Sequence, residues 1–354
     1  MKKILYILFT VSLLAAGCTT TEVAVSRDHD INAEVGDMKT KMEMKTLYCN
    51  LNETNNLDLQ KLSEYLTAQN ADVAMFVAPV TVGGENFKNW LTAYAAEVGE
   101  LNALSVANID GRMLMAALVK NQWPLKYDSE TAVNQGAPGL DGSLQNAVLC
   151  FRANGINFVV TELEPARNAI PADWETQVAD MTTNKKSVPL EYNPDNIAKR
   201  VAELANIIKQ TIDKKANMKE AHWMWAINTN ADSPLDLVKY DHEFYRVDCY
   251  DDVTEEFLSK ETKYFSVSEL LEKDDPYFGV NALLLGRNMV DCNAVHHSIY
   301  TPSSMGEEEG LRNNFLYASD ECWNMFQTFD FDTEKAAELG VTHYPIIVTL
   351  KSEE

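Results

Sequence analysis

Short apolar runs in this chain end repeatedly in a polar motif. Phe158-Val159-Val160 precedes Thr161-Glu162-Leu163, and the apolar residues 223–227 precede Asn228-Thr229-Asn230. Runs this short that stay apolar without alternating are typical of strands covered on both faces. This pattern restricts the chain to a layered fold with buried sheets, in which polar side chains gather where the strands end.

Helical and strand-like patterns are mixed along the chain. Strands are predicted at 46–51, 73–77, 113–119, 148–152, 156–161 and 223–227, and helices within 57–66 and 87–98. The Asn154-Gly155 pair between two apolar runs predicts a β-hairpin, because Asn and Gly both tolerate positive φ. The mixture indicates an α+β fold, a four-layer α/β/β/α sandwich with two mixed central sheets and helices outside.

Three further helices are predicted from their end signals. Pro194 begins one, since proline suits the first turn. Ser266 and Glu269 fit a capping box before a second helix. A third starts at Asp332 and stops at Gly340, which is a favourable residue just past a helix end.

The N-terminus has the features of an export signal. Lys2 and Lys3 precede the apolar residues 4–14, which are too few to span a bilayer comfortably. The following Leu14-Ala15-Ala16-Gly17-Cys18 resembles a bacterial lipobox, although Ala15 departs from its usual Leu. We expect residues 1–17 to be a lipoprotein signal peptide, Cys18 to be lipidated, 18–44 to be a flexible tether, and 45–354 to form the domain. Secretion without lipid and a short membrane anchor are the alternatives. The expected location is therefore the bacterial cell envelope, with the exported chain held to a membrane through Cys18.

Charge and cysteine usage exclude some classes of protein. The formal net charge is −23, which disfavours a nucleic-acid partner, because binding to phosphate backbones depends on Lys and Arg. Besides Cys18 there are five widely spaced cysteines without a C-x-x-C pair, so a zinc ribbon is excluded. One or two disulfides are compatible with export, and Cys49 and Cys150 are equally compatible with a buried core.

The polar motifs, in their order and spacing, resemble those of the endonuclease/exonuclease/phosphatase superfamily. The resemblance extends from Lys45 to Leu350 and implies the DNase I-like sandwich. Six segments carry it: Asn50, residues 72–79, Thr161-Glu162-Leu163, Asn228-Thr229-Asn230, residues 312–317 and Val341-Thr342-His343-Tyr344-Pro345. In that superfamily a divalent metal activates a phosphate and a His–Asp pair handles protons.

The same resemblance implies that most of the catalytic side chains are replaced. Three polar positions are kept: Asn50, Asn230 and His343. Five differ, with Ala78 for a metal-binding Glu, Glu162 for a His, and Asn228, Asn314 and Thr342 for Asp. Because losing one member of an interdependent catalytic group removes most of the rate, ordinary metal-assisted hydrolysis is not expected. No cofactor is predicted.

The sequence therefore predicts a non-catalytic binding module whose ligand is a protein, a glycan or a small molecule. The alternative is a divergent phosphodiesterase or phosphatase with a rebuilt Mg²⁺ site, for which Glu162, Glu164 and Asp232 are candidate ligands. A third possibility is a structural component of a cell-surface assembly. The kept residues also have structural interpretations, with Asn50 and Asn230 forming strand-end turns and His343 fixing a bend.

Two remaining features have simple interpretations. Trp223 and Trp225 alternate along one strand and are predicted to pack in the core rather than to form a platform for sugar stacking. On a strand the adjacent His296 and His297 would face opposite ways and could not chelate a metal together, and their expected place is an exposed loop.

Overall fold

The structure is a computed structural model. It describes residues 42–52, 57–108, 111–135, 147–163, 197–214, 222–231, 233, 235, 240–242, 250–251, 256–257, 261–263, 276–297, 301–305, 312 and 314–352. The expected signal peptide, Cys18, the helix start at Pro194, the Ser266–Glu269 capping box, Glu164, Asp232 and Cys249 lie outside these ranges. Within them no helix is long and apolar enough to cross a membrane.

The described elements alternate between strands and helices. The strands are β1 (Met42–Asn50), β2 (Val73–Pro79), β3 (Thr81–Val82), β4 (Glu85–Asn86), β5 (Leu101–Ala107), β6 (Met113–Lys120), β7 (Leu125–Lys126), β8 (Val148–Ala153), β9 (Ile156–Glu162), β10 (His222–Asn228), β11 (Tyr240–His242), β12 (Tyr250–Asp251), β13 (Glu256–Phe257), β14 (Glu261–Lys263), β15 (Met289–Asp291), β16 (Asn314–Ser319), β17 (Phe326–Phe331) and β18 (Ile346–Ser352). The helices are α1 (Leu59–Gln69), α2 (Phe87–Val98), α3 (Ile197–Gln210), α4 (Pro276–Leu285), α5 (Cys292–His296), α6 (Asp320–Trp323) and α7 (Thr333–Leu339).

Two six-stranded sheets form the centre of the molecule. The first has the order β17-β18-β1-β2-β6-β5 and the second has the order β15-β16-β10-β9-β8-β7. Both are mixed, since β1 and β2 pair in parallel, as do β9 and β10, while the other neighbours pair antiparallel.

Three apolar clusters define the layers. One lies between the sheets and includes Met75 and Phe158. A second packs α1, α2 and α7 on the outer face of the first sheet. The third packs α3 and α4 on the outer face of the second sheet and contains the buried Trp223 and Trp225. The predicted α/β/β/α sandwich is thereby confirmed, and so is the core location of both tryptophans.

Local signals located several elements well. Asn154 and Gly155 have φ of +47° and +82° and join β8 to β9, as the predicted hairpin requires. Asp332 caps α7 through the backbone N–H of Lys335, and Gly340 ends it at φ +74°. The half-exposed edge strands β5 and β17 and the helix α4 were not predicted.

The four cysteines in the described part of the chain are not joined in disulfides. Cys49, Cys292 and Cys322 are buried, Cys150 is half-buried, and all four carry free thiols. Burial raises the pKa of the Cys49 thiol, so this side chain behaves as a small core residue, as its position in a strand predicted.

Candidate functional site

The sheet topology brings the polar strand ends together. The parallel strands β1 and β2 end at the same edge of the first sheet, and β9 and β10 end together in the second. The antiparallel strands β16 and β18 begin at that same edge, because Asn314 pairs with Asn228 and Ile346 pairs with Tyr48. Strand ends and strand beginnings that are distant in sequence therefore meet.

Side-chain alternation turns these residues toward the space between the sheets. Glu162, Asn228 and Asn314 are direct cross-strand neighbours in the second sheet. Each lies an even number of residues from a side chain in the inter-sheet cluster, and so faces it. Asn50 follows Tyr48 by two residues on the inner face of the first sheet.

Hydrogen bonds join the two sheets at this edge. Tyr48 Oη donates to Asn314 Oδ1 at 2.8 Å, and Asn50 Nδ2 reaches the same oxygen at 3.3 Å. Asn52 Nδ2 donates to Glu162 Oε1 at 2.6 Å across the sheets. We call these residues, with Asn228, the strand-end cluster: Tyr48, Asn50, Asn52, Glu162, Asn228 and Asn314.

Backbone donors fix how the amides are oriented. Asn50 Oδ1 accepts from the backbone N–H of Asn52 at 2.9 Å, so its Nδ2 must face Asn314, and the atom it meets there must be the oxygen. Asn228 Oδ1 accepts from the backbone N–H of Asn230 at 3.1 Å, which directs Asn228 Nδ2 to Glu162 Oε1 at 3.1 Å. The Asn314 oxygen thus receives two donors.

Asn50 and Asn230 also have structural tasks. Each lies in a turn closed by an asparagine side chain that bonds the backbone two residues on. Asn230 is left-handed at φ +47° and donates from Nδ2 to the carbonyl of Leu163 at 2.9 Å. These contacts support the turn-forming interpretation of both residues.

His343 is buried without a hydrogen-bond partner. The side chain is 2% exposed, and neither Nδ1 nor Nε2 is hydrogen-bonded. Burial lowers the pKa of His343 from 6.5 to about 4, so the imidazole is neutral at pH 7. Thr342, which precedes it, offers no carboxylate to orient or charge the ring.

A short segment links His343 to the cluster. Ser304 and His343 form an isolated antiparallel β-bridge through their backbones, and Tyr344 N donates to Ser303 O at 3.0 Å. Ser303 Oγ in turn accepts from the backbone N–H of Asn314 at 3.4 Å. His343 and Asn314 are therefore both held by the segment 301–305.

Ala78 lies apart from the other residues that were predicted from the sequence resemblance. Ala78 is in β2 and pairs with Leu114 of β6. Its side chain belongs to the apolar cluster between the first sheet and α1, α2 and α7. Its neighbour Val77, which pairs with Asn50, faces the inter-sheet space instead. In this register a carboxylate at position 78 would point away from the strand-end cluster, so more than a side-chain replacement separates this edge from a metal site.

The donor set does not fit a hard divalent cation. Mg²⁺ is bound mainly through carboxylates, and Glu162 carries the only carboxyl group of the six clustered side chains. Its Oε1 already receives two amide donors. In the described ranges no three His, Cys, Asp or Glu side chains come together as a metal site.

Burial near Glu162 also affects Tyr48. The pKa of the Tyr48 hydroxyl is raised well above its ordinary value of 10.0, first by burial and then by the carboxylate of Glu162. Tyr48 therefore remains a neutral hydrogen-bond donor and is unsuited to act as a base.

Several residues of this edge were missed in the sequence. Tyr48 could have been found from its spacing, because it lies two residues before Asn50 on the same strand face. Asn281 could not, since it bonds the loop after β10 from a distant helix. Its Nδ2 donates to Ala231 O at 2.8 Å, and its Oδ1 accepts from Tyr317 Oη at 2.9 Å.

The two adjacent histidines were misplaced. His296 ends α5 rather than lying in a loop, and its ring stacks on Phe329 at 5.7 Å between centroids. His297 Nε2 lies 2.9 Å from the carbonyl of Phe329. Both side chains are exposed, as expected, but they pack on the edge strand β17.

No protein-family model and no curated protein sequence matches the chain. Solved structures do. An AP endonuclease from Archaeoglobus fulgidus aligns at a TM-score of 0.50 and 13% identity, covering 87% of this chain and 99% of that one. A 3′-5′ exonuclease from Neisseria meningitidis aligns at 0.49 and 14%, covering 87% and 99%. An AP endonuclease from Leishmania major aligns at 0.49 and 12%, covering 93% and 97%. The likeness to the Archaeoglobus fulgidus structure, together with the two layered sheets, shows that the chain has the DNase I-like fold that its motifs predicted.

Proposed function

We propose that the chain is an exported, lipid-anchored protein whose DNase I-like domain binds a ligand and does not catalyse phosphoester hydrolysis. The observation that carries the proposal is the state of the strand-end cluster. Its hydrogen bonds run between the sheets, from Tyr48 to Asn314 and from Asn52 to Glu162. These contacts engage the side chains that a catalyst would direct at metal and substrate.

The chemistry of the retained histidine supports the same proposal. A general acid must carry a proton at the working pH, but burial keeps His343 neutral at pH 7. An oxyanion also needs donors rather than acceptors, and Glu162 would repel it. Glu162 is therefore unsuited to stabilise a developing negative charge, and a neutral His343 is a poor general acid at pH 7.

The alternative is a phosphodiesterase or phosphatase with a rebuilt metal site. It needs replacement carboxylates near Asn230 and His343. Around Ala78 the described neighbours are apolar, and they include Phe76 and Leu114. The donor set therefore favours the binding module.

Turnover assays test the proposal directly. We expect the purified full chain to hydrolyse neither bis-p-nitrophenyl phosphate nor p-nitrophenyl phosphate above background with Mg²⁺ or Mn²⁺. The matched control is His343→Ala, which removes the retained histidine. Metal-dependent turnover that disappears in His343→Ala would establish the enzyme and refute the binding module.

Lipid anchoring is tested separately. We expect the full chain to fractionate with membranes and a Cys18→Ser variant to lose the lipid and the membrane association. Metabolic labelling with a palmitate analogue checks the modification. Equal labelling of both proteins would contradict the assignment of Cys18.

A further inference from the structure

Buried polar atoms without partners occur in the strand-end cluster, at Asn314, and outside it, at His343 and Asn293. Asn314 Nδ2 and both ring nitrogens of His343 lack hydrogen bonds, although each side chain is 2% exposed. Asn293 Oδ1 is a further buried atom without a partner, and its Nδ2 donates to the carbonyl of Thr301 at 3.1 Å. Buried polar groups are almost always paired, with protein, water or ligand.

These atoms border one segment of the chain. The backbone N–H of Asn314 donates to Ser303 Oγ, and Asn293 Nδ2 donates to the carbonyl of Thr301. His343 forms a backbone β-bridge with Ser304. Leaving a buried group unpaired is costly, so several such groups beside one segment indicate that something else completes their hydrogen bonds. Asn52 and Asn230, which lie at the same edge, are partly exposed to solvent.

We infer that this edge binds an uncharged, hydroxyl-rich ligand, namely a sugar unit. The inference rests on the proposed function and names the ligand class for the same site. A hydroxyl both donates and accepts, and so it matches asparagine amides and a neutral imidazole that offers one donor and one acceptor.

The charge of the strand-end cluster disfavours a phosphate ligand. None of the six clustered side chains is basic, and Glu162 contributes a negative charge. Arg312 lies two residues before Asn314, and its guanidinium donates to both carboxylate oxygens of Asp291. A phosphate would meet carboxylate repulsion without compensation, whereas a neutral hydroxyl can donate to a carboxylate.

Calorimetry on the full chain, in a detergent without a sugar headgroup, tests the inference. The probes are glucose, galactose, mannose, N-acetylglucosamine and their disaccharides. Glucose 6-phosphate and inorganic phosphate are the charged controls. We expect at least one neutral sugar to bind saturably and neither charged probe to bind. A disaccharide that binds more tightly than its monosaccharides indicates a glycan end rather than a free sugar.

Two variants locate the binding. Asn314→Asp is isosteric and replaces the unpaired donor by an oxygen, and His343→Phe keeps a ring without nitrogen. We expect each to weaken binding at least tenfold, because a buried partner is left unpaired. Asn157→Leu removes a buried amide at the other end of β9 and should leave affinity unchanged.

Three outcomes would overturn the inference: no sugar binds, the charged probes bind instead, or affinity is unchanged in both site variants. A crystal structure grown with the sugar that shows only water at His343 would have the same force. Each of these outcomes would reject the sugar ligand but not the proposed non-catalytic binding function, provided that no phosphoester is hydrolysed. Metal-dependent turnover would instead remove the proposed function itself.

Discussion

At the scale of single residues, the site is defined by what its polar atoms bond to rather than by which residues are present. Asn50, Asn230 and His343 are three positions on which the sequence resemblance rests, but the first two lie in backbone turns and the imidazole of the third has no hydrogen-bond partner. Retained identity therefore does not imply retained chemistry. Burial keeps the His343 imidazole neutral at pH 7, and burial with the Glu162 carboxylate keeps the Tyr48 hydroxyl protonated.

His343 predicts a specific acid sensitivity. Its pKa is about 4 in the folded state against 6.5 ordinarily, so above pH 6.5 it is neutral in both states and has no effect. Between pH 6.5 and 4 the unfolded chain binds the additional proton, and stability falls, by about 3 kcal/mol at the acid limit. Urea unfolding at several pH values should show a shallower acid loss for His343→Leu than for the wild type.

The matched control is His297→Leu, since that side chain is exposed. Its stability should follow the wild-type pH dependence. An unchanged acid slope in His343→Leu would show that the buried imidazole does not govern this sensitivity.

At the scale of elements, a buried ion pair connects β15 to the start of β16 in the second sheet. Arg312 binds both oxygens of Asp291 at 2.9 and 2.7 Å, and both side chains are 0% exposed. The Arg312 guanidinium also lies 5.0 Å from the ring centre of Phe315. The pair joins the end of β15 to the residues that enter β16, and so it holds Asn314 at the strand-end cluster.

Asp291→Asn tests that tie. Asparagine keeps the cap on α5, where Asp291 Oδ1 accepts from Ala294 N, but it removes the negative charge to which the buried Arg312 guanidinium donates two hydrogen bonds. We expect a loss of about 3 kcal/mol or more in unfolding free energy, measured by urea denaturation. Asp213→Asn breaks the exposed pair with Arg287 and should cost well under 1 kcal/mol. Equal losses in both variants would contradict this account.

The elements that the sequence predicted were those with strong local signals. Asn154-Gly155 fixes a turn through backbone conformation, and Asp332 and Gly340 mark both ends of α7. Strand β17 was missed because it is an edge strand with only Phe329 buried, so its apolar pattern is weak. Four cluster positions, Asn50, Glu162, Asn228 and Asn314, followed from strand-end motifs. The outward face of Ala78 depends on register, which a single strand does not reveal.

At the scale of the whole molecule, the two sheets meet over an apolar layer and are joined at one edge by polar contacts. At that edge Asn52 reaches Glu162 and Tyr48 reaches Asn314 across the space between the sheets. A global property adds to this local one, since the chain carries a net charge of −23. The acidic surface disfavours nucleic acid and also attracts cations without specificity.

Magnesium therefore provides the sharpest test of the whole arrangement. A specific site would stabilise the fold by RT ln(1 + [Mg²⁺]/Kd), which gives a rise in melting temperature within the low millimolar range that grows with the logarithm of the concentration once the site is filled. Screening of the −23 charge would instead give a rise that follows ionic strength. We expect MgCl₂ to match NaCl of equal ionic strength in differential scanning fluorimetry. A rise in MgCl₂ above the NaCl curve that is reversed by EDTA would establish a cation site and contradict the assigned donor set. The same rise in Glu162→Gln would place that site away from the strand-end cluster, whereas its loss would place it there, because Glu162 holds the cluster's only carboxyl group.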